Sequence, residues 1–360
     1  MKQTIVFTGG HHNSALVVAK ELKKEGFQIA WMGHKFNFSN KSLSAEYQEV
    51  TAEKIPFYEL KTGKFYRQKN PIEYGKILFG LIQAFVYLNK IRPVLIVSFG
   101  GFMAVPAVIA GWLLRIPSVT HEQTVVAGWA NKAISPFVKK ILLTHESSLK
   151  NFPKKKSVVV GLPLRPELFD PKLKQKFDPK LLYISCGKQG SHTINQALFP
   201  LIGELVKKFT VVHQTGASGP SRDADRARRI KESLGDLSNR YTYAPYFFAT
   251  DAATYLQSAE VVISRAGAHL TYELSLLQKR AIFIPIPWVS HNEQLKNANL
   301  AAKKTPAIIL LEKDLSRETL MAAIESVLAK PLRKTTKEDI EAGLNATRKI
   351  IDIIHGILKK

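Results

Sequence analysis

Residues 4–11 have the sequence Thr-Ile-Val-Phe-Thr-Gly-Gly-His, a short apolar strand pattern that runs into a pair of glycines. The segment after them, through Glu25, has the apolar spacing of a helix, so Gly9 and Gly10 lie where a strand turns into a helix. The first backbone N–H groups of a helix are unpaired and can meet an anion, and glycine permits close approach. Taken alone, the pair is equally typical of a plain tight turn.

The same alternation of short β-branched runs and helix-like segments recurs along the chain. It predicts α/β architecture with parallel sheets and helical crossovers. A second series starts afresh near residue 181, which indicates two Rossmann-like domains. The strands are expected at residues 4–8, 28–32, 94–98 and 118–120 in the first series, and at 181–186, 210–213, 261–264, 281–285 and 307–310 in the second.

A proline-containing segment, residues 162–166, and a lysine-rich segment, residues 172–180, separate the two series and have the composition of a linker. We place the first domain at residues 1–164 and the second at residues 165–337. The last stretch, residues 338–360, is predicted to be a helix that packs back on the first domain through Leu344, Ile350, Ile351, Ile354 and Leu358.

Composition narrows the class of protein. The 360 residues are 45% hydrophobic and 22% charged, as in folded globular proteins. The single cysteine, Cys186, excludes an intramolecular disulfide and fits a reducing cytoplasm, and the N-terminal apolar run is too short for a signal peptide, so no export is expected. The net charge of +23 predicts attraction to nucleic acid, an anionic membrane or phosphorylated substrates, without choosing among them.

Two further glycine turns lie in the second half. The first, Ser185 to Ser191, contains Lys188, which could meet a phosphate. The second begins at Arg265 and opens a helix that carries Glu273 nearly two turns later. A helix N-terminus favours a diphosphate, and a carboxylate just inside could bind ribose hydroxyls. The alternatives are a solvated helix residue for Glu273 and a surface ion pair for Arg265.

Clusters of amide, imidazole and carboxylate side chains follow two predicted strands, at residues 121–123 and 285–298. Sugar hydroxyls need both donors and acceptors, which such side chains supply. Each cluster alone is also typical of a helix cap.

Taken together and in order, these motifs resemble the MurG family, the N-acetylglucosaminyltransferases of peptidoglycan synthesis. The resemblance covers nearly the whole chain, and the combination is far more specific than any one motif. It is carried by Thr8-Gly9-Gly10-His11, Phe99-Gly100-Gly101-Phe102, Pro117 with His121-Glu122-Gln123, Gly161-x-Pro-x-Arg165, Gly187-x-Gln-Gly190, His213-Gln214-Thr215-Gly216, Arg265-x-Gly-Ala268 with Glu273, and Gln294 with Asn297-Ala298.

The resemblance implies two Rossmann-like domains of the GT-B type with the active site in the cleft between them. It implies inverting transfer of N-acetylglucosamine from its UDP donor to the C4 hydroxyl of a muramoyl-pentapeptide carried on undecaprenyl diphosphate. The partners would be a nucleotide sugar, the lipid-linked acceptor and an anionic membrane surface. The first domain would bind acceptor and membrane, and the second would bind the donor.

Roles for individual residues follow from the same resemblance. His11 would face the acceptor as general base, because an imidazole transfers protons near neutral pH; Glu122 is a second candidate base, and a turn residue that bonds the backbone is the alternative for His11. Glu273 would bind the ribose, Arg165 the nucleotide, and Phe247 or Phe248 would lie near the uracil. The remaining substrate contacts would be Thr8, Gly9, Gly10, Thr124, Lys188, Gln189, Gly190, Ala268, His269, Leu270, Thr271, Glu293, Gln294 and Asn297.

No cofactor or tightly bound metal is expected. The helix dipole and Lys188 could neutralise the departing diphosphate. The Asp-x-Asp pattern typical of metal-dependent transferases occurs only as Asp223-Ala224-Asp225, within a predicted arginine-rich helix.

Four residues differ from the usual family pattern: Val6 and Phe7 replace a double glycine, Thr124 replaces an asparagine, and Lys188 replaces a serine. A related transferase with another nucleotide sugar or glycolipid acceptor is therefore the main alternative.

A basic nucleic-acid-binding protein would explain the charge, but no recognition module is present and the basic residues are spread over both halves, so no nucleic acid is expected. A dehydrogenase is disfavoured because the first turn is not Gly-x-Gly-x-x-Gly.

Residues 61–92 combine many cations with an apolar run, residues 77–88, that is too short to span a bilayer. A buried core helix is one interpretation. Apolar residues flanked by cations are also typical of peripheral membrane proteins, and the resemblance favours this interpretation, with residues 112–115 extending the surface. We therefore expect a peripheral protein at the cytoplasmic face of the cell membrane.

Overall fold

A computed structural model describes residues 2–36, 43–63, 71–187, 190–216, 223–289 and 292–359, with the side chains of residues 71–73 left out. It divides into two compact units. Unit 1 comprises Met1–Leu164 with Ala342–Lys360, and unit 2 comprises Arg165–Glu341.

Unit 1 is built on a parallel sheet of seven strands in the order β3-β2-β1-β4-β5-β6-β7. Its central strands are apolar at successive positions because helices cover both faces of the sheet. The strands are β1 (Thr4–Thr8), β2 (Gln28–Gly33), β3 (Phe57–Glu59), β4 (Leu95–Ser98), β5 (Ser118–Glu122), β6 (Lys140–Leu143) and β7 (Ser157–Val159), and the helices are α1 (His12–Lys24), α2 (Ala45–Ala52), α3 (Pro71–Ile91), α4 (Ala104–Leu113) and α5 (Trp129–Ile134).

Unit 2 repeats the design with six parallel strands in the order β10-β9-β8-β11-β12-β13. Side-chain caps define two helix starts: the Ser191 hydroxyl accepts from Ile194 N, and Ser316 forms a capping box with Thr319. The strands are β8 (Leu181–Ser185), β9 (Thr210–Gln214), β10 (Tyr241–Ala244), β11 (Val261–Ser264), β12 (Arg280–Phe283) and β13 (Ala307–Ile309), and the helices are α6 (His192–Leu198), α7 (Ile202–Lys208), α8 (Asp223–Ser233), α9 (Ala249–Ser258), α10 (Ala268–Leu276), α11 (Glu293–Ala302) and α12 (Arg317–Ala329).

The last helix, α13 (Lys337–Leu358), contributes to the core of unit 1. Ile350, Ile351 and Ile354 are buried in the same cluster as the apolar residues of β1 and α1, and Leu358 packs against it. Leu344, which the apolar pattern assigned to the same side, is instead 40% exposed, because the buried side of the helix runs through its neighbours Gly343, Ala346 and Thr347.

The strand order of each sheet indicates where a ligand-binding crevice is expected. Strand order reverses between β1 and β4 in unit 1, and between β8 and β11 in unit 2. In open parallel sheets the loops diverge at such a switch point and leave a crevice beyond the carboxyl ends of the strands. The glycine turns at Gly9, Gly100, Gly187 and Gly267 all follow these four strands.

Candidate active site

Two glycine turns pack against each other at the carboxyl edge of unit 1. Gly9 has a φ of +129°, and a Cβ there would lie 2.7 Å from backbone atoms of Phe99, so no other residue fits without a shift. A Cβ on Gly101 would lie 3.0 Å from Gly10 N. The N–H of Gly10 donates to Gly100 O at 2.9 Å, so this amide closes the turn instead of facing an anion, contrary to the expectation for this N–H.

A series of buried polar groups, linked by hydrogen bonds, supports these turns. Gly100 N donates to Ser98 Oγ at 3.2 Å, and Thr120 Oγ1 lies 3.2 Å from Ser98 Oγ and 2.7 Å from Asn131 Oδ1. Asn131 Nδ2 then donates to Glu122 Oε2 at 3.0 Å. Asn131 is therefore the link between the glycine turn and Glu122, and no motif had singled it out.

Glu122 holds the loop that follows β5. Its Oε1 accepts from the backbone N–H of Thr124 at 3.1 Å and from the Thr124 hydroxyl at 2.9 Å. Its Oε2 accepts from Gly128 N at 2.8 Å and from Asn131. Three N–H donors, from Thr124, Gly128 and Asn131, occupy lone pairs that a base needs, so the geometry argues against Glu122 as the proton acceptor. Thr124, expected to contact substrate, is likewise turned inward onto Glu122.

The edge of unit 1 keeps two buried polar atoms without a hydrogen-bond partner among the described residues. They are Thr8 Oγ1, at the end of β1, and Gln123 Oε1, just after β5. Buried polar atoms are almost always satisfied, by protein, water or ligand. Half-buried His11 follows the same turn and immediately precedes α1. Thr8, His11 and Gln123 therefore all lie at or just beyond the carboxyl ends of β1 and β5.

In unit 2, the first turn of α10 presents open backbone donors. Thr271 N donates to Gly267 O at 3.0 Å, which makes it the first amide of the helix with an internal partner. The N–H groups of Ala268, His269 and Leu270 precede it and have no acceptor within the helix. The Thr271 hydroxyl, by contrast, bonds back to Gly267 O at 2.9 Å. An anion at this turn would meet backbone groups and the positive end of the helix dipole.

Glu273 is buried beside this turn, with only 3% of its side chain exposed, so the solvated alternative is wrong. Its Oε1 lies 3.0 Å from His269 Nδ1 and 3.8 Å from Arg165 Nη2. Arg165 Nε and His269 Nε2 are buried and have no hydrogen-bond partner within the described parts of the chain. Residues 165, 269 and 273 are thus brought together, and the Nε donor of Arg165 is not used within the described parts of the chain.

The glycine turn after β8 packs on the turn after β9. A Cβ on Gly190 would lie 2.3 Å from Thr215 O, so a side chain is excluded there. Gln214 bridges the neighbouring segments, since its Nε2 donates to Gly187 O at 2.9 Å and its Oε1 accepts from Phe247 N at 3.0 Å. Lys188 and Gln189, both predicted to contact substrate, lie outside the described residues.

The predicted uracil and sugar contacts differ in placement. Phe247 is buried at 7% exposure whereas Phe248 is 52% exposed, so only Phe248 presents its ring to solvent. Gln294 Oε1 accepts from Ile286 N at 3.1 Å, and Asn297 Nδ2 donates inward to Ala266 O at 3.3 Å. Gln294 and Asn297 therefore hold the turns after β12 and β11. Glu293 is the first residue of α11.

His213, a neutral histidine in β9 of the same sheet, is held by hydrogen bonds to both ring nitrogens. Asn195 Nδ2 donates to Thr215 O and Asp223 Oδ2, both at 2.8 Å, so Asn195 Oδ1 accepts from His213 Nε2 at 3.0 Å. His213 Nδ1 then accepts from the Tyr241 hydroxyl at 3.1 Å. Burial lowers the pKa of His213 to about 3, against a smaller opposing effect of the Asp223 charge.

This pKa predicts acid sensitivity of unit 2. An unfolded histidine gains a proton near pH 6.5, whereas folded His213 does so only near pH 3. Between these values the unfolded chain binds more protons, so the free energy of unfolding should fall as pH falls, by up to about 1.4 kcal/mol per pH unit. Urea unfolding from pH 7 to 4 measures this slope, which should be shallower in His213→Gln. The exposed His355→Gln serves as control and should keep the wild-type slope; equal slopes in all three proteins would contradict the prediction.

No three histidine, cysteine, aspartate or glutamate side chains among the described residues are grouped so as to hold a metal ion.

Comparisons with known proteins agree with this architecture. Residues 4–143 match the glycosyltransferase family 28 N-terminal domain, and residues 181–354 match the family 28 C-terminal domain. The crystal structure of Acinetobacter baumannii MurG has the same fold, with a TM-score of 0.65 and 22% identity over 99% of this chain and 100% of that chain.

Curated relatives extend over almost the full length. The chain is 32% identical to the UDP-N-acetylglucosamine–N-acetylmuramyl-(pentapeptide) pyrophosphoryl-undecaprenol N-acetylglucosamine transferase of Clostridium perfringens, over 98% of both chains. It is 31% identical to the enzyme of the same name from Legionella pneumophila, over 98% of this chain and 97% of the relative. With both domains matched and identities above 30% along the chain, this protein belongs to the MurG family of glycosyltransferases.

Proposed function

We propose that the chain transfers N-acetylglucosamine from UDP-N-acetylglucosamine to the C4 hydroxyl of undecaprenyl-diphosphate-linked N-acetylmuramoyl-pentapeptide, converting lipid I to lipid II in peptidoglycan synthesis. The observation that carries the proposal is the buried group of Arg165, His269 and Glu273 beside the open first turn of α10. This group combines a carboxylate for ribose hydroxyls, a cation and unpaired amides for a diphosphate. Family membership supplies the identity of sugar and acceptor.

In this proposal unit 2 binds the donor. The diphosphate lies at the N–H groups of Ala268, His269 and Leu270, where the helix dipole stabilises negative charge. Glu273 binds the ribose, and Phe248 offers its exposed ring to the uracil. Lys188, Gln189, Glu293 and Gln294 remain predicted contacts to the diphosphate and the sugar.

Unit 1 binds the acceptor. His11 removes the proton from the C4 hydroxyl as the oxygen attacks the anomeric carbon from the face opposite UDP. The new bond forms between C1 and O4 while the bond from C1 to the β-phosphate oxygen breaks. The electron pair moves to that oxygen, and the configuration at C1 inverts. Thr8 and Gln123, at the same carboxyl edge, remain predicted neighbours of the acceptor.

The decisive experiment is UDP release from UDP-N-acetylglucosamine with and without a short-chain lipid I analogue. Acceptor-dependent release together with formation of the β-linked disaccharide would support the proposal. Release only with a different nucleotide sugar or glycolipid would preserve the glycosyl-transfer mechanism but contradict the proposed substrates.

We also propose that unit 1 binds the membrane peripherally, at the cytoplasmic face, through one side of α3. Buried Ala84 and Leu88 pack this helix on the core, and a Cβ on Gly80 would collide with Thr62. The opposite side exposes a stripe of large apolar residues at helical spacing, each 40% to 60% exposed: Leu78, Phe79, Ile82, Phe85 and Val86. An unbroken apolar surface of this kind is uncommon on a monomer unless it binds something.

Cations flank this stripe. Lys76 and Lys90 are exposed on α3, and Lys61 precedes it, whereas Lys64, Arg67 and Lys69 lie outside the described residues. Trp112 and Leu113, at the end of the neighbouring α4, are also about half exposed. None of the helices in the described ranges has the length and apolar character to cross a bilayer. Apolar side chains with surrounding lysines suit insertion at the level of anionic headgroups.

Replacing Ile82 and Phe85 by serine should lower binding to phosphatidylglycerol-containing vesicles at least about tenfold, because a buried side chain of this size contributes about 1.5–3 kcal/mol. Vesicle co-sedimentation measures the partition coefficient. Asn89→Ser, an exposed polar change on the same helix, is the matched control and should bind as the wild type. Unchanged binding of the double variant would contradict membrane contact by α3; the Kd for UDP should be the same in all three proteins.

A further inference from the structure

Arg265 lies at the switch point of unit 2, and its two terminal nitrogens are hydrogen-bonded to neighbouring segments. It follows β11 directly and lies two residues before Gly267, which precedes α10. Its Nη1 donates to Ile284 O at 3.1 Å, and its Nη2 donates to Ser191 Oγ at 2.6 Å and to Glu312 Oε1 at 2.9 Å. Its guanidinium thus connects the segments that follow β8, β11, β12 and β13. The ion pair with Glu312 is largely buried, unlike the surface pair considered from the sequence.

The surroundings of this guanidinium are electropositive. The open N–H groups of α10 begin three residues after Arg265, and the dipole of that helix places partial positive charge at the same edge. Arg265 Nε is buried without a hydrogen-bond partner in the part of the chain that the structure describes. The guanidinium therefore keeps one donor in reserve although its other nitrogens are bonded.

Glu312 supplies the negative charge that the buried guanidinium requires. It begins a short 3-10 helix, Glu312–Asp314, after β13, and the two side chains are 11% and 15% exposed. Burial opposes ionisation of Glu312, but hydrogen bonds from Arg265 and Thr193 and the Arg265 charge outweigh it, so its pKa lies below the usual value. The carboxylate is consequently ionised at neutral pH, and the pair is neutral overall.

We propose that Glu312 is an internal counter-ion: it holds Arg265 when no donor is bound and yields it to the diphosphate of the nucleotide. The inference rests on the proposed function, since it takes the ligand at this edge to be a nucleoside diphosphate. A buried guanidinium without an anion is costly, so the free protein needs a carboxylate there. A diphosphate carries more negative charge than one carboxylate and can form bidentate bonds to arginine, so it competes for the same donors.

The test is the affinity of Glu312→Gln for three probes, measured by titration calorimetry: UDP, inorganic pyrophosphate and uridine. Glutamine keeps the shape and the contact with Thr193 but cannot neutralise Arg265. UDP and pyrophosphate should bind about tenfold more tightly than to the wild type, because the competing anion is gone. Uridine has no phosphate and should bind equally to both proteins. Glu312→Asp keeps the charge and should resemble the wild type.

Glu260→Gln is the matched control. Glu260 pairs with Arg280 at the opposite, amino edge of the same strands, so this change alters net charge equally without touching the crevice. It should leave the Kd for UDP unchanged. Equal or weaker UDP binding by Glu312→Gln would overturn the counter-ion role while the proposed function stood. If the wild type itself did not bind UDP, the proposed function would be wrong, and this inference with it.

Discussion

Replacing His11 with alanine is expected to lower kcat for acceptor-dependent transfer by about 10²–10⁴-fold, the usual contribution of a general base. The Kd for UDP should not change, because the proposed donor contacts belong to unit 2 whereas His11 belongs to unit 1. Single-turnover transfer and calorimetric UDP binding measure the two quantities separately. A loss of less than tenfold in kcat would rule out His11 as the base.

Two controls separate catalysis from structure. His355→Ala removes a histidine whose Nε2 lies 2.8 Å from Glu25 on the surface of unit 1, and it should retain full activity. Glu122→Gln tests the other candidate base. Because the NH₂ group of glutamine cannot accept from the N–H donors around Glu122, this variant should unfold at a lower temperature than the wild type, whereas His11→Ala should not. A catalytic loss in Glu122→Gln without any loss of stability would reverse the two assignments.

Replacing Glu273 with glutamine should raise the Kd for UDP by about 10–100-fold, since a hydrogen bond to a charged group contributes about 1.5–3 kcal/mol. The change also removes the carboxylate that lies 3.8 Å from the Arg165 guanidinium and leaves that buried cation less well compensated. Calorimetry with UDP and with 2′-deoxy-UDP measures the effect. The wild type should prefer the ribonucleotide, and the variant should lose most of this preference.

Glu325→Gln is the control for this experiment, as Glu325 is an exposed glutamate on α12 of the same unit. It should bind both nucleotides as the wild type does. If Glu273→Gln still discriminated between ribose and deoxyribose to the same extent, the carboxylate would not be the ribose contact.

Arg165 and Arg265 have similar surroundings in unit 2. Each arginine is largely buried, each has a carboxylate nearby, and each keeps its Nε without a hydrogen-bond partner among the described residues. Carboxylates near buried arginines keep the site stable while empty. Arg165 approaches Glu273 on α10, and Arg265 lies just before the first turn of that helix, where the donor is proposed to bind.

The repeated strand, glycine turn and helix established the fold class and the two series of strands from the sequence. Parallel strands buried on both faces appear as continuous apolar runs, and the turn after each requires glycine where φ is positive, as at Gly9. These signals are local in the sequence, so they can be recognised without knowing the tertiary contacts. The family resemblance came from the same strings and is confirmed by the relatives, whereas the individual substrate contacts stay predictions.

Only the tertiary structure decided which polar residues share a site and which face of a helix is open. Asn131, Gln214 and Glu312 act on segments that are distant in the chain, and no spacing rule marks them. The apolar run of α3 has no full polar face, so its periodicity could not distinguish a core helix from an exposed one. In the structure Ala84 and Leu88 pack on the core, and the opposite side of the helix is exposed. Sequence determines local conformation and apolar pattern, whereas hydrogen-bond partners and exposure depend on contacts that exist only once the sheets are assembled.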